Sequence, residues 1–207
     1  MKNTEKFWDR ISKSYDKNDD VDPTYLKMLD VTRKYLKNDS IVMDLGCATG
    51  SISIDISDDA EEVLGIDISS KMVEIAKRKA VEFKKRNVKF EQATIFDERL
   101  EMSSFDTIMA FNILHLLDDT KSAIVRIDQL LKPGGIFISS TVCLGDKGLF
   151  VSGLLTMIGK LGFIPDPKIF KRSELKDMMV QGGFKILETV DMGDPSHPFI
   201  VARKEEL

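Results

Sequence analysis

The run Ile41-Val42-Met43-Asp44-Leu45-Gly46-Cys47-Ala48-Thr49-Gly50 constrains this chain more than any other stretch. A short apolar, partly β-branched run ending in a glycine-rich turn suits a buried parallel strand whose backbone bends sharply at its carboxyl end. Gly46 and Gly50 permit that bend and a close approach to a ligand. Ile52, Ile54 and Ile56 then alternate with polar residues, which by itself argues for a strand. A loop leaving a parallel strand normally feeds a crossover, however, so a short helix is expected after Gly50.

The spacing bears on which ligand the loop serves. Dinucleotide loops use G-x-G-x-x-G, whose close glycines bring a pyrophosphate onto a helix N-terminus. Here the glycines stand four apart and Asp44 sits two before the first; a carboxylate there repels a pyrophosphate and suits a cationic ligand end. The pattern Asp44-x-Gly46-x-x-x-Gly50 resembles motif I of the Rossmann-like (class I) S-adenosylmethionine-dependent methyltransferases, whose ligand carries an ammonium and a sulfonium. That resemblance implies cofactor contacts at Asp44, Gly46, Cys47, Ala48 and Gly50.

At 207 residues the chain can bury one ample core and reads as a single domain. A net charge of −4 with 31% charged residues argues against a polyanion binder. Two cysteines and two histidines are too few for a Cys-rich zinc site or a disulfide framework, so no metal is expected and a reducing cytoplasm is the natural compartment. Residues 1–6 lack the apolar core of a signal peptide, and no apolar stretch reaches the ~20 residues of a spanning helix.

Phe7, Trp8, Ile11 and Tyr15 fall on one helical stripe. As pattern alone this is a docking helix with an aromatic face. The Trp8-Asp9…Tyr15-Asp16 stretch is also similar to the N-terminal lid of small-molecule members such as the quinone C-methyltransferases, which makes Tyr15 a candidate cofactor contact. Asp22-Pro23 reads as an N-cap and first-turn proline of a helix running to about Lys37.

Glu62 to Ile66 is the expected second strand, ending in Asp67-Ile68-Ser69-Ser70. An acidic residue at this tip can accept both ribose hydroxyls, a role shared by nicotinamide and S-adenosylmethionine sites. Asp67-Ile68-Ser69-x-x-Met72 resembles the methyltransferase continuation, with Met72 near the adenosine. Packing of Met72 on a helix with Val73, Ala76, Ala80 and a core-facing Phe83 is equally compatible, and Ser69 or Ser70 caps that helix. The cations Lys77 to Lys79 and Lys84 to Arg86 read as a solvated, dipole-complementing face, so no nucleic-acid partner is expected.

Asn87 to Gln92 is strand three, followed by Thr94, Ile95 and Phe96. Thr94 stands where the family commonly has Asp or Asn for the adenine amino group, the N–H of Ile95 would meet a ring nitrogen, and Phe96 flanks the adenine or closes the core. Phe105 to Phe111 is strand four, and its turn should face the crevice at the switch in strand order. By resemblance, Asn112 holds the amino acid end of the cofactor or the acceptor. His115 is the candidate general base, its ordinary pKa of about 6.5 suiting proton removal, or else a histidine that packs and caps the next helix.

Asp118 to Leu131 reads as a helix stopped by Lys132-Pro133-Gly134-Gly135, which leads into strand Ile136 to Thr141 and matches the family's helix–Lys-Pro-Gly-Gly–strand segment. Residues 148–170 carry an amphipathic helix with polar breaks at Ser152, Thr156 and Lys160. Ser173 begins a capped helix ending at Gly182-Gly183, and Phe184 to Val190 with Phe199 to Arg203 form a hairpin, His197 in its turn being structural.

The resemblance, spanning residues 5 to 203, implies an α/β fold: a Rossmann-like seven-stranded mixed sheet of order 3-2-1-4-5-7-6, last strand antiparallel, with helices on both faces. The expected parts are lid helices over 1–38, a cofactor core over 39–142, an acceptor cap over 148–170 that is alternatively core, a subunit contact or a membrane-facing surface, and a C-terminal helix and hairpin over 171–207. The implied activity is methyl transfer from S-adenosylmethionine to a partly apolar small-molecule acceptor. A non-catalytic S-adenosylmethionine-binding protein would keep Asp44, Gly46 and Asp67. A nicotinamide oxidoreductase would share Asp67 but lacks its close glycine pair here.

Overall fold

A computed structural model of the chain describes residues 2–16, 23–161 and 164–205. Seven strands, β1 (Ile41–Leu45), β2 (Glu62–Asp67), β3 (Val88–Gln92), β4 (Phe105–Phe111), β5 (Leu131–Ser140), β6 (Phe184–Val190) and β7 (Phe199–Lys204), form one sheet. Their order is β3-β2-β1-β4-β5-β7-β6, parallel except for β7, which runs antiparallel to β5 and β6. This is the expected topology. The chain winds outward from β1 to β3 and then returns to β4 on the other side of β1, which opens a crevice at the carboxyl ends of β1 and β4.

Successive side chains on a strand point to opposite faces, and each face carries its own core. Val42, Val63, Met109 and Val201 meet Met28, Leu29 and Val31 of α2 (Pro23–Arg33), Ile54 of α3 (Ser51–Asp55) and Val73, Ala76 and Ala80 of α4 (Ser70–Glu82). Met43, Ile108, Phe137 and Ile200 meet Ile124, Ile127 and Leu130 of α5 (Thr120–Leu130) and Leu175 and Met179 of α7 (Arg172–Gln181). The short helix after Gly50 is therefore real, its isoleucines serving the sheet despite their alternation.

Several expectations need correction. α2 ends at Arg33, four residues short of Lys37, because its last turn tightens, with Tyr35 N–H on Thr32 O at 3.0 Å. The Asp22 cap lies outside the described residues. Phe83 does not face the core: it is the C-cap of α4, Lys84 follows at φ +56°, and the ring is 58% exposed. The Lys-Pro-Gly-Gly turn is absorbed into β5 as a bulge, since Leu131 pairs with Phe105 and the register resumes only at Ile136 against Thr107. α7 begins at Arg172, before Ser173, because Glu174 reaches back to accept the Lys171 N–H at 2.7 Å.

The helix expected within 148–170 is α6 (Leu149–Lys160), but its polar breaks do not mark its outer face. Ser152 and Gly159 are buried, and the Ser152 and Thr156 hydroxyls donate to the carbonyls of Gly148 and Ser152. Val151, Leu154 and Met157 point outward at 40%, 44% and 55% exposure, followed by Leu161 at 64%. Gly159 serves a close approach to Asp166 and Pro167.

Gly50 makes the expected bend and also has a packing role that was not expected. Its φ is +80°, and a Cβ there would lie 2.5 Å from Phe90 Cζ and 2.9 Å from Ala76 Cβ; one on Gly65 would lie 2.5 Å from Phe90 Cδ1. The Phe90 ring fills the volume these glycines leave. Gly50→Ala is expected to destabilise the domain by about 2–4 kcal/mol through overpacking and left-handed strain, and a second Phe90→Leu change should restore only the steric part. Urea unfolding that places Gly50→Ala within ~0.5 kcal/mol of the parent would refute this account.

Candidate functional site

The loops leaving β1, β2, β3 and β4 converge on one cavity of about 360 Å³ at the crevice. It gathers Tyr15, Gly46, Ala48, Asp67, Ile68, Met72, Thr94, Ile95, Phe96 and Asn112 from the sequence-derived set. Asp44, Cys47, Gly50 and His115 from that set do not line it.

The first loop is folded down onto the tip of β2. The N–H groups of Gly46 and Cys47 both donate to Ile66 O, at 2.8 and 3.0 Å, and Ala48 N–H donates to Asp67 Oδ2 at 3.0 Å. The other oxygen, Oδ1, accepts the Ser69 N–H at 2.8 Å, where α4 begins. A carboxylate offers about four acceptor directions, so Asp67 retains room for two further donors from the cavity it lines. Burial raises its pKa, while the N–H donors from Ser69 and Ala48 oppose that rise. Ala48 (φ +47°) and Asn112 (φ +55°) are both non-glycine residues in the left-handed region, and both border the cavity. Such strain costs on the order of 1–3 kcal/mol each and clusters where backbone geometry serves a ligand. At Gly46 (φ +75°) a Cβ would sit 2.9 Å from Ile113 Cγ1.

Asp44 lies on the face of β1 that Val42 shares, pointing to α3, where Ser53 Oγ donates to Oδ2 at 2.6 Å. Burial drives its pKa up to about 6; the Ser53 bond pulls the other way and the nearby Asp67 adds to the rise. It stands behind the loop as a source of negative field. Cys47 packs into the core with a thiol that burial pushes well above its usual pKa.

His115 sits in a short 3₁₀ turn, Leu114–Leu116, with Nδ1 2.9 Å from Thr141 Oγ1 and its carbonyl accepting the Lys168 N–H at 2.7 Å. Burial, helped by the nearby His197, lowers its pKa to about 4. Its contact with Thr141 joins the β4 turn to the end of β5, and it stands off the cavity wall.

The roof is the N-terminal segment: Thr4 and Trp8 of α1 (Lys2–Ile11) and Tyr15 line the cavity, with Trp8 and Tyr15 edge to face at 6.4 Å. Desolvation, then the carboxylates of Asp67, Asp16 and Asp44, raise the Tyr15 pKa. The roof is tied down at three points that sequence reasoning missed. Asp9 Oδ1 accepts from Ser69 Oγ at 2.6 Å and Lys71 N–H at 3.2 Å; Glu5 accepts from Gln92 at 2.9 Å; Asp16 accepts from Thr49 Oγ1 at 2.6 Å and pairs with Lys79 at 2.8 Å. The signal was available, since Asp9 and Asp16 each follow an aromatic residue of the stripe. Lys79, read as a dipole-complementing cation, instead spans Asp16, Thr49 and Ser51. Leu116, Leu117, Asp118 and Asp119 complete the wall, and Asp119 also caps α5 through Ser122 N–H.

A methyltransferase domain model matches residues 36–181, well over half of the chain. The chain is 33% identical over 111 residues to a ubiquinone biosynthesis O-methyltransferase of Pasteurella multocida, covering 49% of this chain and 46% of that one. It is 35% identical over 97 residues to a demethylmenaquinone methyltransferase of Lactococcus lactis, covering 45% and 38%. The matched stretch thus spans less than half the length of each of these two relatives. In fold it is similar to a SAM-dependent methyltransferase of Methanosarcina mazei, with TM-score 0.69 and 20% identity over 84% of this chain and 97% of that one.

The burial of Asp44 has a measurable signature. Its pKa rises from an ordinary 3.8 to about 6 on folding, so the folded state binds more protons between those values. Stability contributed by this site therefore falls as pH rises from about 4 to about 6 and stays low above, by on the order of 2–3 kcal/mol. Asp44→Asn should remove that fall, gaining on the parent at pH 7 relative to pH 4 in ligand-free urea titrations. A parent–variant difference equal at both pH values would contradict the assignment.

Proposed function

The chain belongs to the class I S-adenosylmethionine-dependent methyltransferase family, and from this premise we propose that it transfers a methyl group from S-adenosylmethionine to a small-molecule acceptor with substantial apolar surface. The observation that carries the reading is the charge of the cavity: among the described residues its lining holds Asp67, Asp118 and Asp119 and no lysine or arginine. Asp44 and Tyr15 add no positive charge. A site of this sign attracts a cationic cofactor and repels the pyrophosphate of a nicotinamide dinucleotide.

The residues present fit that cofactor. Asp67 keeps free acceptor directions for ribose hydroxyls, Thr94 offers a hydroxyl and Ile95 a backbone N–H at the β3 end, and Met72 and Phe96 give apolar walls for a base. Gly46, Ala48 and Asn112 border the crevice between β1 and β4 and would hold the amino acid end. When bound, the cofactor supplies a methyl group already activated on a sulfonium. The protein's task is then alignment and exclusion of water, and α1 with Tyr15 forms the roof that does the latter. No base on the cavity wall is needed for an acceptor whose lone pair is free.

The apolar part of the acceptor is argued from Trp8, Phe111, Leu116 and Leu117 on the wall, and it accords with the quinone-directed names of the two bacterial relatives. No described residue of 148–170 lines this cavity, so an acceptor cap formed by that segment would act beyond it. An acceptor screen following S-adenosylhomocysteine release tests the activity; binding without release for any acceptor would favour a non-catalytic binding protein.

Asp67→Ala is expected to raise the Kd for S-adenosylmethionine at least about tenfold, since it removes charge-assisted bonds worth roughly 1.5–3 kcal/mol each. Calorimetry showing unchanged affinity in a variant that still melts cooperatively would defeat the ribose assignment.

A further inference from the structure

α6 is built inside out. Ser152 and Gly159 are buried and Leu155, Thr156 and Ile158 half-buried on its inward side, while Val151, Leu154 and Met157 stand in water with Leu161 just beyond. A helix that only covered the sheet would bury the large side chains and expose the hydroxyls. Instead the apolar stripe runs unbroken by charge along the outer surface, and within α6 the sole charged residue is Lys160 at its carboxyl end.

The surroundings say what kind of surface fits there. From 146 to 174 the sequence has five cations, Lys147, Lys160, Lys168, Lys171 and Arg172, against three acids, Asp146, Asp166 and Glu174, a surplus of positive charge in a chain of net charge −4. Folding places Lys147, Lys171 and Arg172 near the start of the helix and Lys160 at its end. Gly145 N–H donates to Phe170 O at 3.0 Å and Arg172 N–H to Asp146 at 2.8 Å, which returns Lys171 and Arg172 to the segment that leads into α6. Among the described residues only Lys147 of the five pairs with a carboxylate, Asp194 at 3.2 Å. An apolar stripe with cations at its margins matches an anionic bilayer, the stripe entering the acyl boundary and the cations meeting the headgroups. A second copy packed symmetrically about α6 would set these cations against one another. At 12 residues, about 18 Å, the helix is far short of a span and lies along a surface.

We infer that α6 and its flanking cations dock this protein on an anionic membrane surface, which would bring the crevice to acceptors dissolved in the bilayer. The test is co-sedimentation with vesicles of phosphatidylcholine alone and of phosphatidylcholine mixed with phosphatidylglycerol. The parent chain should partition onto the mixed vesicles. Leu154→Asp/Met157→Asp should lower that partitioning at least about tenfold while melting temperature and S-adenosylhomocysteine affinity stay unchanged. Lys160→Glu/Arg172→Glu should erase the preference for the anionic vesicles. The inference is overturned by a parent chain that stays in the supernatant, by Leu154→Asp/Met157→Asp partitioning like the parent, or by a parent dimer that this double change makes monomeric. A fall in its melting temperature would assign the stripe to the core instead.

Discussion

The carboxylate of Asp67 is the point on which the site depends. One oxygen holds the N–H of Ala48 and the other that of Ser69, so a single side chain fixes the loop after β1 and the start of α4. Ala48 would not keep φ +47° unaided, and a bond from its N–H to a carboxylate in a desolvated place offsets the strain. The same network continues outward, because the Ser69 hydroxyl that caps Met72 N–H also donates to Asp9 of the roof. Loop, helix and roof are thus linked through consecutive polar bonds beginning at the tip of β2.

This arrangement gathers negative charge around a small space. Asp67, Asp118 and Asp119 touch the cavity, Asp44 lies behind its floor, and Asp9 and Asp16 anchor its roof. Lys79, which reaches the first loop, is engaged by Asp16 and the hydroxyls of Thr49 and Ser51. Loss of positive charge from a ligand in such a field weakens its hold, which suits a transfer that converts a sulfonium to a neutral thioether.

Much of this was legible in the sequence because backbone requirements leave local marks. A strand followed by Asp44-x-Gly46 and a carboxylate at the next strand tip point to the crevice, alternation of strand and helix points to an α/β sheet, and the strand order came with the family resemblance. What escaped was set by packing between distant segments. Nothing near Gly50 reveals that its neighbour is Phe90, forty residues on, and nothing near Lys79 reveals that its partner is Asp16. His115 had the right chemistry and position in the chain, yet burial beside Thr141 gives its imidazole other surroundings. For α6, spacing identified a two-faced helix but could not say which face turns outward.

The roof bears on time as well as affinity. Exchange of a ligand past the Trp8 and Tyr15 side of the cavity requires the bonds of Asp9, Glu5 and Asp16 to the body of the domain to part. Residence would then follow the opening frequency of this N-terminal segment more than the contacts on the cavity floor. Two of the three ties, to Gln92 and to Ser69 with the Lys71 amide, have neutral donors, whereas Asp16 to Lys79 is a partly exposed ion pair that mobile ions weaken. Under the proposed methyl transfer, turnover limited by this segment would vary with ionic strength even where the chemistry beneath does not.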